Sequence, residues 1–248
     1  MTLEEAVQAA ESGNIGAMNS LGDYFFEQNE IEKANQWFSK SANAGNPYGM
    51  HQSMLCDMMF AMASEDLGLW QDALNSWNAA RAKALVLVQH EGVAENFKES
   101  ARTHFLNTIV IGLGLANTCL KNYDMAIEWL KESEDDRAKI LLGCCYFQGS
   151  NDTHSHAKAF HLMKILSEKP DVKLPTSVKW ACLINLSMLY RFGDNLPDQS
   201  IKADVAAAYR CVEMATTLPE LSEKLAGIAR EELKKYTKGL FGSYSYNG

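Results

Sequence analysis

The chain has 248 residues, 47% apolar and 22% charged, with a net charge of −8 and a pI near 5.3. That balance excludes a disordered chain and a membrane-embedded one, and an acidic surface that repels phosphate argues against nucleic acid as a partner. Only five prolines occur, so helix-breaking signals are sparse.

The first predicted helix is Leu3–Glu11, capped by Thr2 with Glu5 at the capping-box position. Ser12, Gly13 and Asn14 end it and start the next. Ile15–Phe26 and Ile31–Ala44 read as an antiparallel pair across Gln28, Asn29 and Glu30, and Gly45-Asn46-Pro47 stops the second member. Ile31, Ala34, Trp37, Phe38 and Ala42 share one face of it at offsets of three and four.

The same plan recurs down the chain. GLWQDALNSWNAARAKA repeats the second helix, with Ala73, Trp77 and Ala80 in place of Ala34, Phe38 and Ser41. IGLGLANTCLKNYDMAIEWLKES repeats both helices, with Leu113-Gly114 matching Leu21-Gly22 and Ala126 matching Ala34. LLGCCYFQGSNDTHSHAKAFHLM supplies Leu142-Gly143, Tyr146, Gly149 and Ala159. LSMLYRFGDNLPDQSIKADVAAAYRCVEMA supplies Leu186-Ser187, Tyr190, Gly193 and Ala206 across a longer loop. Units are expected at about 15–48, 54–90, 105–134, 136–168 and 178–217 within one domain spanning 1–248. Ala61 stands where unit two should have glycine, and Val86–Phe105 reads as an insertion that lengthens two helices. Glycine in a helix costs about 1 kcal/mol relative to Ala, so close helix packing has to offset it.

Leu21, Gly22, Phe25, Ala34, Phe38 and Ser41 resemble a tetratricopeptide repeat, and Leu142–Gly149, its echo Leu186–Gly193 and the WFSKSANAGN segment resemble the Sel-one-like variant of that repeat. The resemblance covers roughly Ile15 to Leu218. It implies an all-α fold, a right-handed α-solenoid of stacked antiparallel helix pairs with terminal capping helices. It also implies that the first helices line a concave surface. Asn19, Asp23 and Phe26 would face it from unit one, and Met58, Met62 and Glu65 from unit two. Ile111, Leu115, Arg137, Ile140, Phe147, Ile184, Met188 and Arg191 would follow from the rest, and a Met-rich groove of this kind adapts to varied peptides. The family's chaperone-tail binders hold a carboxylate with basic and Asn residues, whereas here those positions are Asn19 and Asp23.

Signals for chemistry are few. His154, His156 and His161, with Asp152 nearby, do not converge as a metal site and read as solvated. The acidic run Glu132–Asp136 ends one helix and starts the next, with Asp135 and Asp136 at a helix N-terminus. Gly112–Gly114 lies inside a helix and is no phosphate loop, and the sequence contains no nucleophile elbow, zincin or Walker pattern. The expectation is a non-enzyme without cofactor or metal. Its partner would be a protein or peptide bound in the groove; the alternative is a ligand- or peptide-responsive regulator without a DNA-binding domain of its own.

Cys56, Cys119, Cys144, Cys145, Cys182 and Cys211 contain no C-x-x-C pair and are expected reduced, small and mostly buried. The most apolar run, Thr108–Ala116, is too short to span a bilayer, and Glu4 and Glu5 stand where a signal peptide needs positive charge. Both readings point to the cytoplasm and away from the membrane. From Pro219 to Lys238 a last amphipathic helix should cap the stack, with Leu221, Leu225, Ile228, Ala229 and Leu233 on its inner stripe. The tail 239–248, with Leu240, Phe241, Tyr244 and Tyr246, either folds back on the last helices or docks on a partner or a second copy as a homodimer contact.

Overall fold

A computed structural model describes residues 2–149, 154–193, 201–239 and 243–248. The fold is an all-α solenoid in which consecutive helix pairs pack on one another. The chain divides into two compact units, Met1–Ala116 and Asn117–Gly248.

In the first unit α1 (Leu3–Glu11), α2 (Ile15–Glu27), α3 (Ile31–Asn43), α4 (Pro47–Asp66) and α5 (Trp70–Gln89) follow in order, each packed on the next. Polar caps set their starts. The Thr2 hydroxyl accepts from the Glu5 amide at 3.2 Å, and the Thr2 amide donates to the Glu5 carboxylate at 2.8 Å, the reciprocal box expected. Asn14 and Asn46 cap α2 and α4 with a single bond each, their side-chain oxygens accepting from the Ala17 and Gly49 amides, and Pro47 occupies the first turn of α4. Helices end through left-handed residues, Asn29 (φ 59°) inside the first pair and Gly45 (φ 82°) after it. Ala34 and Phe38 of α3 bury against Cys56 of α4.

The small residues do what the repeat pattern asks of them. A Cβ on Gly22 would lie 2.4 Å from Phe38 Cε1, so the Phe38 ring occupies the space that glycine leaves. In unit two Ala61 and Ala73 are fully buried. In the third hairpin Gly114 is buried. A second glycine of the same helix, Gly112, makes a close approach of its own, and an added Cβ there would fall 2.1 Å from Trp77 Cε2 of α5.

The 86–105 insertion lengthens two helices as expected. It extends α5 to Gln89 and adds α6 (Glu95–Ser100) and a π-helical turn (Ala101–Phe105) ahead of α7 (Leu106–Cys119). It folds back on the α3–α4 corner. His90 Nε2 lies 3.2 Å from the Gly45 carbonyl oxygen, and the His51 ring meets Phe97 and Phe105 edge-on at 5.0 and 5.6 Å.

In the second unit α8 (Tyr123–Leu130), α9 (Asp136–Gly149), α10 (His154–Glu168), α11 (Thr176–Phe192), α12 (Val205–Thr216) and α13 (Glu223–Lys234) again pack in sequence order. Gly143 sits against Leu162 and Met163 of α10, and Ser187 is buried, so both small positions of these hairpins work as anticipated. Asp135 precedes α9, and its carboxylate accepts from the Arg137 amide at 2.8 Å.

The C-terminal end differs from the expected single helix. Glu220 is left-handed (φ 56°) and Ser222 caps the chain's last helix, so α13 begins at Glu223 and not at Pro219. It ends at Lys234, after which β1 (Tyr236–Lys238) pairs antiparallel with β2 (Tyr244–Tyr246). Ala229 is buried, but Ile228 is 46% exposed and not on the inner stripe. Tyr244 stacks on Tyr209 of α12 at 4.4 Å and Tyr246 meets Tyr236 at 5.1 Å, so this part of the tail folds back on its own unit. Leu240 and Phe241 lie outside the described residues.

Candidate interaction surface

The anticipated first-helix residues separate into three groups. The first group is tied into local contacts. Asn19 donates to Asn46 Oδ1 at 3.2 Å, and Tyr48 OH donates to Asp23 Oδ1 at 2.6 Å, joining α2 to the start of α4. Burial and the neighbouring Asp23 carboxylate push the Tyr48 phenol up. Arg137 folds back on Asp135 through two bonds of 3.0 and 2.8 Å and holds that carboxyl below its ordinary range. Arg191 pairs with Glu232 and lies over the rings of Phe192 and Tyr246 at 4.4 and 4.1 Å. Its role is to anchor the C-terminal hairpin. Phe147 is half-buried, edge-on to His156 at 5.9 Å.

The second group is core. Met58, Ile111, Leu115 and Ile140 are buried, so the expectation that they line a groove is corrected. Ile184 is partly buried against the Ala208–Val212 cluster. In α4 the reason is one step of helical rotation. Met58 is 7% exposed while its neighbour Met59 is 40% exposed. A residue turned by about 100° on a 3.6-residue helix crosses from the core face to the outer face.

The third group is open. Phe26 (36%), Met62 (43%) and Met188 (37%) are exposed. On α4 the outward positions are Tyr48, Gln52, Leu55, Met59, Met62 and Asp66, each partly or fully exposed. They alternate spacings of four and three, the pattern with which a helix presents one seam to a second helix. Four of the six are apolar or aromatic, on a surface where water must otherwise cover them.

Beneath this face lies a polar cluster that sequence reasoning missed. Lys83 Nζ of α5 donates to Asp57 Oδ2 and to Ser53 Oγ, both at 2.6 Å. Ser53 donates to Asn35 Oδ1 at 2.6 Å, and Asn35 donates to Asp57 Oδ1 at 3.0 Å. The network ties α3, α4 and α5 through a nearly buried carboxylate whose charge is paired and fully hydrogen-bonded. No local motif marks it, because its bonded partners are 18 to 30 residues apart.

Glu65, anticipated on the inner face, instead accepts from Trp77 Nε1 at 2.7 Å. Burial pushes its carboxyl up to about 7, against the opposing pull of the indole bond. All six cysteines are free, and only Cys119 is not buried. Cys144 is held below the ordinary thiol range by hydrogen bonds from Cys182 and Asn185, and Cys182 is raised by the same contact and by burial. Burial pushes Cys56 to about 11 and Cys145 and Cys211 to about 12. Buried thiols of that kind are packing groups.

The histidines of α10 are not uniformly solvated, as was expected of them. His161 is exposed, but His156 is half-buried and its Nδ1 is enclosed. Asp152 and the His154 side chain lie outside the described residues. Among the described residues no helix is long and apolar enough to cross a membrane.

A family model described as Sel1 repeat matches residues 14–46, 112–135, 136–171 and 180–218, more than half of the chain. The four segments coincide with the first, third, fourth and fifth hairpins read from the sequence. No curated protein and no solved structure matches the chain.

Proposed function

The chain belongs to the Sel1 repeat family, and from that premise we propose that it docks a protein or peptide through the exposed faces of its first helices. Sel1 repeats are in general protein–protein interaction modules, built on a non-enzymatic scaffold. The observation that carries the reading is the seam on α4, where Tyr48, Leu55, Met59 and Met62 stand outward at helix-docking spacing. Phe26 on α2 adds to it in the first unit, and in the second unit Met188 on α11 and the half-buried Phe147 on α9 are separate positions of the same apolar kind, whereas Arg137 and Arg191 are held in the local contacts described above. Methionine suits such a surface, because an unbranched, polarizable side chain adapts to its partner at little strain. Acting in the cytoplasm as a scaffold, without a cofactor, is part of the same reading.

The test is affinity capture on the immobilised full chain from the cells that make it, followed by mass spectrometry. Partners held by the native protein should be lost from a Phe26→Ser, Met62→Ser variant that melts normally. Partners retained at full yield by that variant would refute the first-helix surface.

A further inference from the structure

The charge of this protein is divided unevenly between its units. Residues 1–116 hold fourteen Asp and Glu against six Lys and Arg, and residues 117–248 hold seventeen of each, so the first unit carries the whole net charge of −8. Within the first unit the division sharpens again. Neither α2 nor α4 contains a single Lys or Arg, and none occurs anywhere between Lys40 and Arg81. The charges of these two helices are Asp23, Glu27, Asp57, Glu65 and Asp66. The Lys and Arg side chains lie on other elements, and Lys33, Lys83, Lys98 and Arg102 are already paired with Glu30, Asp57, Glu95 and Glu99.

That surface without Lys or Arg is where the apolar seam sits. Tyr48 opens the seam with its hydroxyl on Asp23, and Asp66 closes it. Glu27, exposed at the end of α2, follows Asp23 by four residues on the same helix face. A stripe of outward Leu and Met with carboxylates at its borders complements a ligand of matching pattern: apolar residues on one face and cations beside them. The row runs the length of α4, and a helix laid along it can match it with a row of its own at the same spacing, as in helix-on-helix packing.

We propose that the α2–α4 face of the first unit docks a basic amphipathic helix, with the partner's apolar stripe on Leu55, Met59 and Met62 and its Lys or Arg residues toward Asp23, Glu27 and Asp66. The inference rests on the docking role proposed above and adds the chemistry of the partner. Affinity comes from the buried apolar seam, while the carboxylates set orientation and speed encounter, so binding weakens as salt screens them.

Two designed peptides of about three heptads test it. Both carry leucine at seam positions; one has Lys and Arg at its flanks and the other has Glu. Binding to the full chain is read by fluorescence anisotropy at two salt concentrations, with circular dichroism melts of each variant as the folding control. The basic peptide should bind on the order of tenfold or more tighter than its acidic twin and weaken with salt. Met59→Ser with Met62→Ser should weaken it by at least roughly tenfold, and Asp23→Asn with Asp66→Asn should flatten the salt dependence. Equal binding of the two peptides overturns the inference, as does failure of both to bind or indifference to the methionine substitutions. A dimer in light scattering that the methionine substitutions dissociate would put a second copy on the seam and overturn it as well. Should captured natural partners depend on Met62 yet bind without salt dependence, the docking role stands and the basic-helix inference alone falls.

Discussion

Replacing Gly112 with Ala sets two effects of known size against each other. In the middle of α7 the substitution removes glycine's entropic penalty and should gain about 1 kcal/mol. The new Cβ, however, would lie 2.1 Å from Trp77 Cε2, 2.5 Å from Nε1 and 2.6 Å from Cδ2. The indole cannot simply step aside: Trp77 is 2% exposed, and its Nε1 is fixed on Glu65 at 2.7 Å. Either α5 and α7 separate or the ring tilts off its acceptor. Overpacking costs about 1–3 kcal/mol, and a buried donor left unpaired costs about 1–3 kcal/mol more. With both costs set against the gain, the net expectation is a loss of roughly 1–5 kcal/mol, a fall of at least several degrees in melting temperature for a chain of this size. Gly227 in α13 supplies the control, since a Cβ added there would meet nothing within 4 Å. Gly227→Ala should keep the full propensity gain of about 1 kcal/mol and raise the melting temperature. Thermal melts and urea titrations by circular dichroism compare the two. If Gly112→Ala matches Gly227→Ala in sign, close approach to Trp77 is not what holds glycine at this position.

Two further outcomes follow from the geometry. Because the folded Glu65 carboxyl titrates near 7, above the ordinary glutamate value of 4.5, the folded state binds the proton more tightly than the unfolded chain. The contribution is therefore present below that ordinary value and is lost as pH rises toward 7; Glu65→Gln should flatten this slope in stability measured against pH, and an unchanged slope would place its origin elsewhere. Deleting residues 240–248 removes Tyr244 from Tyr209 and Tyr246 from Arg191, so the monomer should melt lower; unchanged melting with lost self-association would instead make the tail a docking peptide.

The helices and their order were legible because their signals are local. Thr2 with Glu5 and Asn14 before Ile15 each announce a helix start within four residues, and the structure places caps there; Gly45-Asn46-Pro47, read only as a stop, also caps and starts α4. The spacing of Ala34, Phe38 and Ser41 marks a buried face that recurs as Ala73, Trp77 and Ala80, all of them buried. The C-terminal hairpin was not legible. Tyr236–Lys238 continues the helical stripe up to Gly239, and its strand exists only through the pairing of Tyr236 with Tyr246, ten residues away. The polar cluster around Lys83 escaped for the same reason, since Asn35, Ser53, Asp57 and Lys83 meet only when three helices are in place.

The surface residues occupy the middle ground between these cases. Counting from the Leu-Gly pair carried Phe26 and Met62 to exposed positions but put Met58 in place of Met59. In α4 the pattern has Ala61 where glycine is expected, and five methionines among twenty residues offer no contrast between inner and outer faces. Hydrophobic periodicity identifies a core only where the outer face is polar. A helix with apolar residues on both sides hides its register. On α4 the cause is two methionine rows: Met54 and Met58 are buried in the fold, while Met59 and Met62 stand exposed, and it is on this second row that the docking proposal rests. The absence of any Lys or Arg from the same helix is why the proposed partner is a basic one.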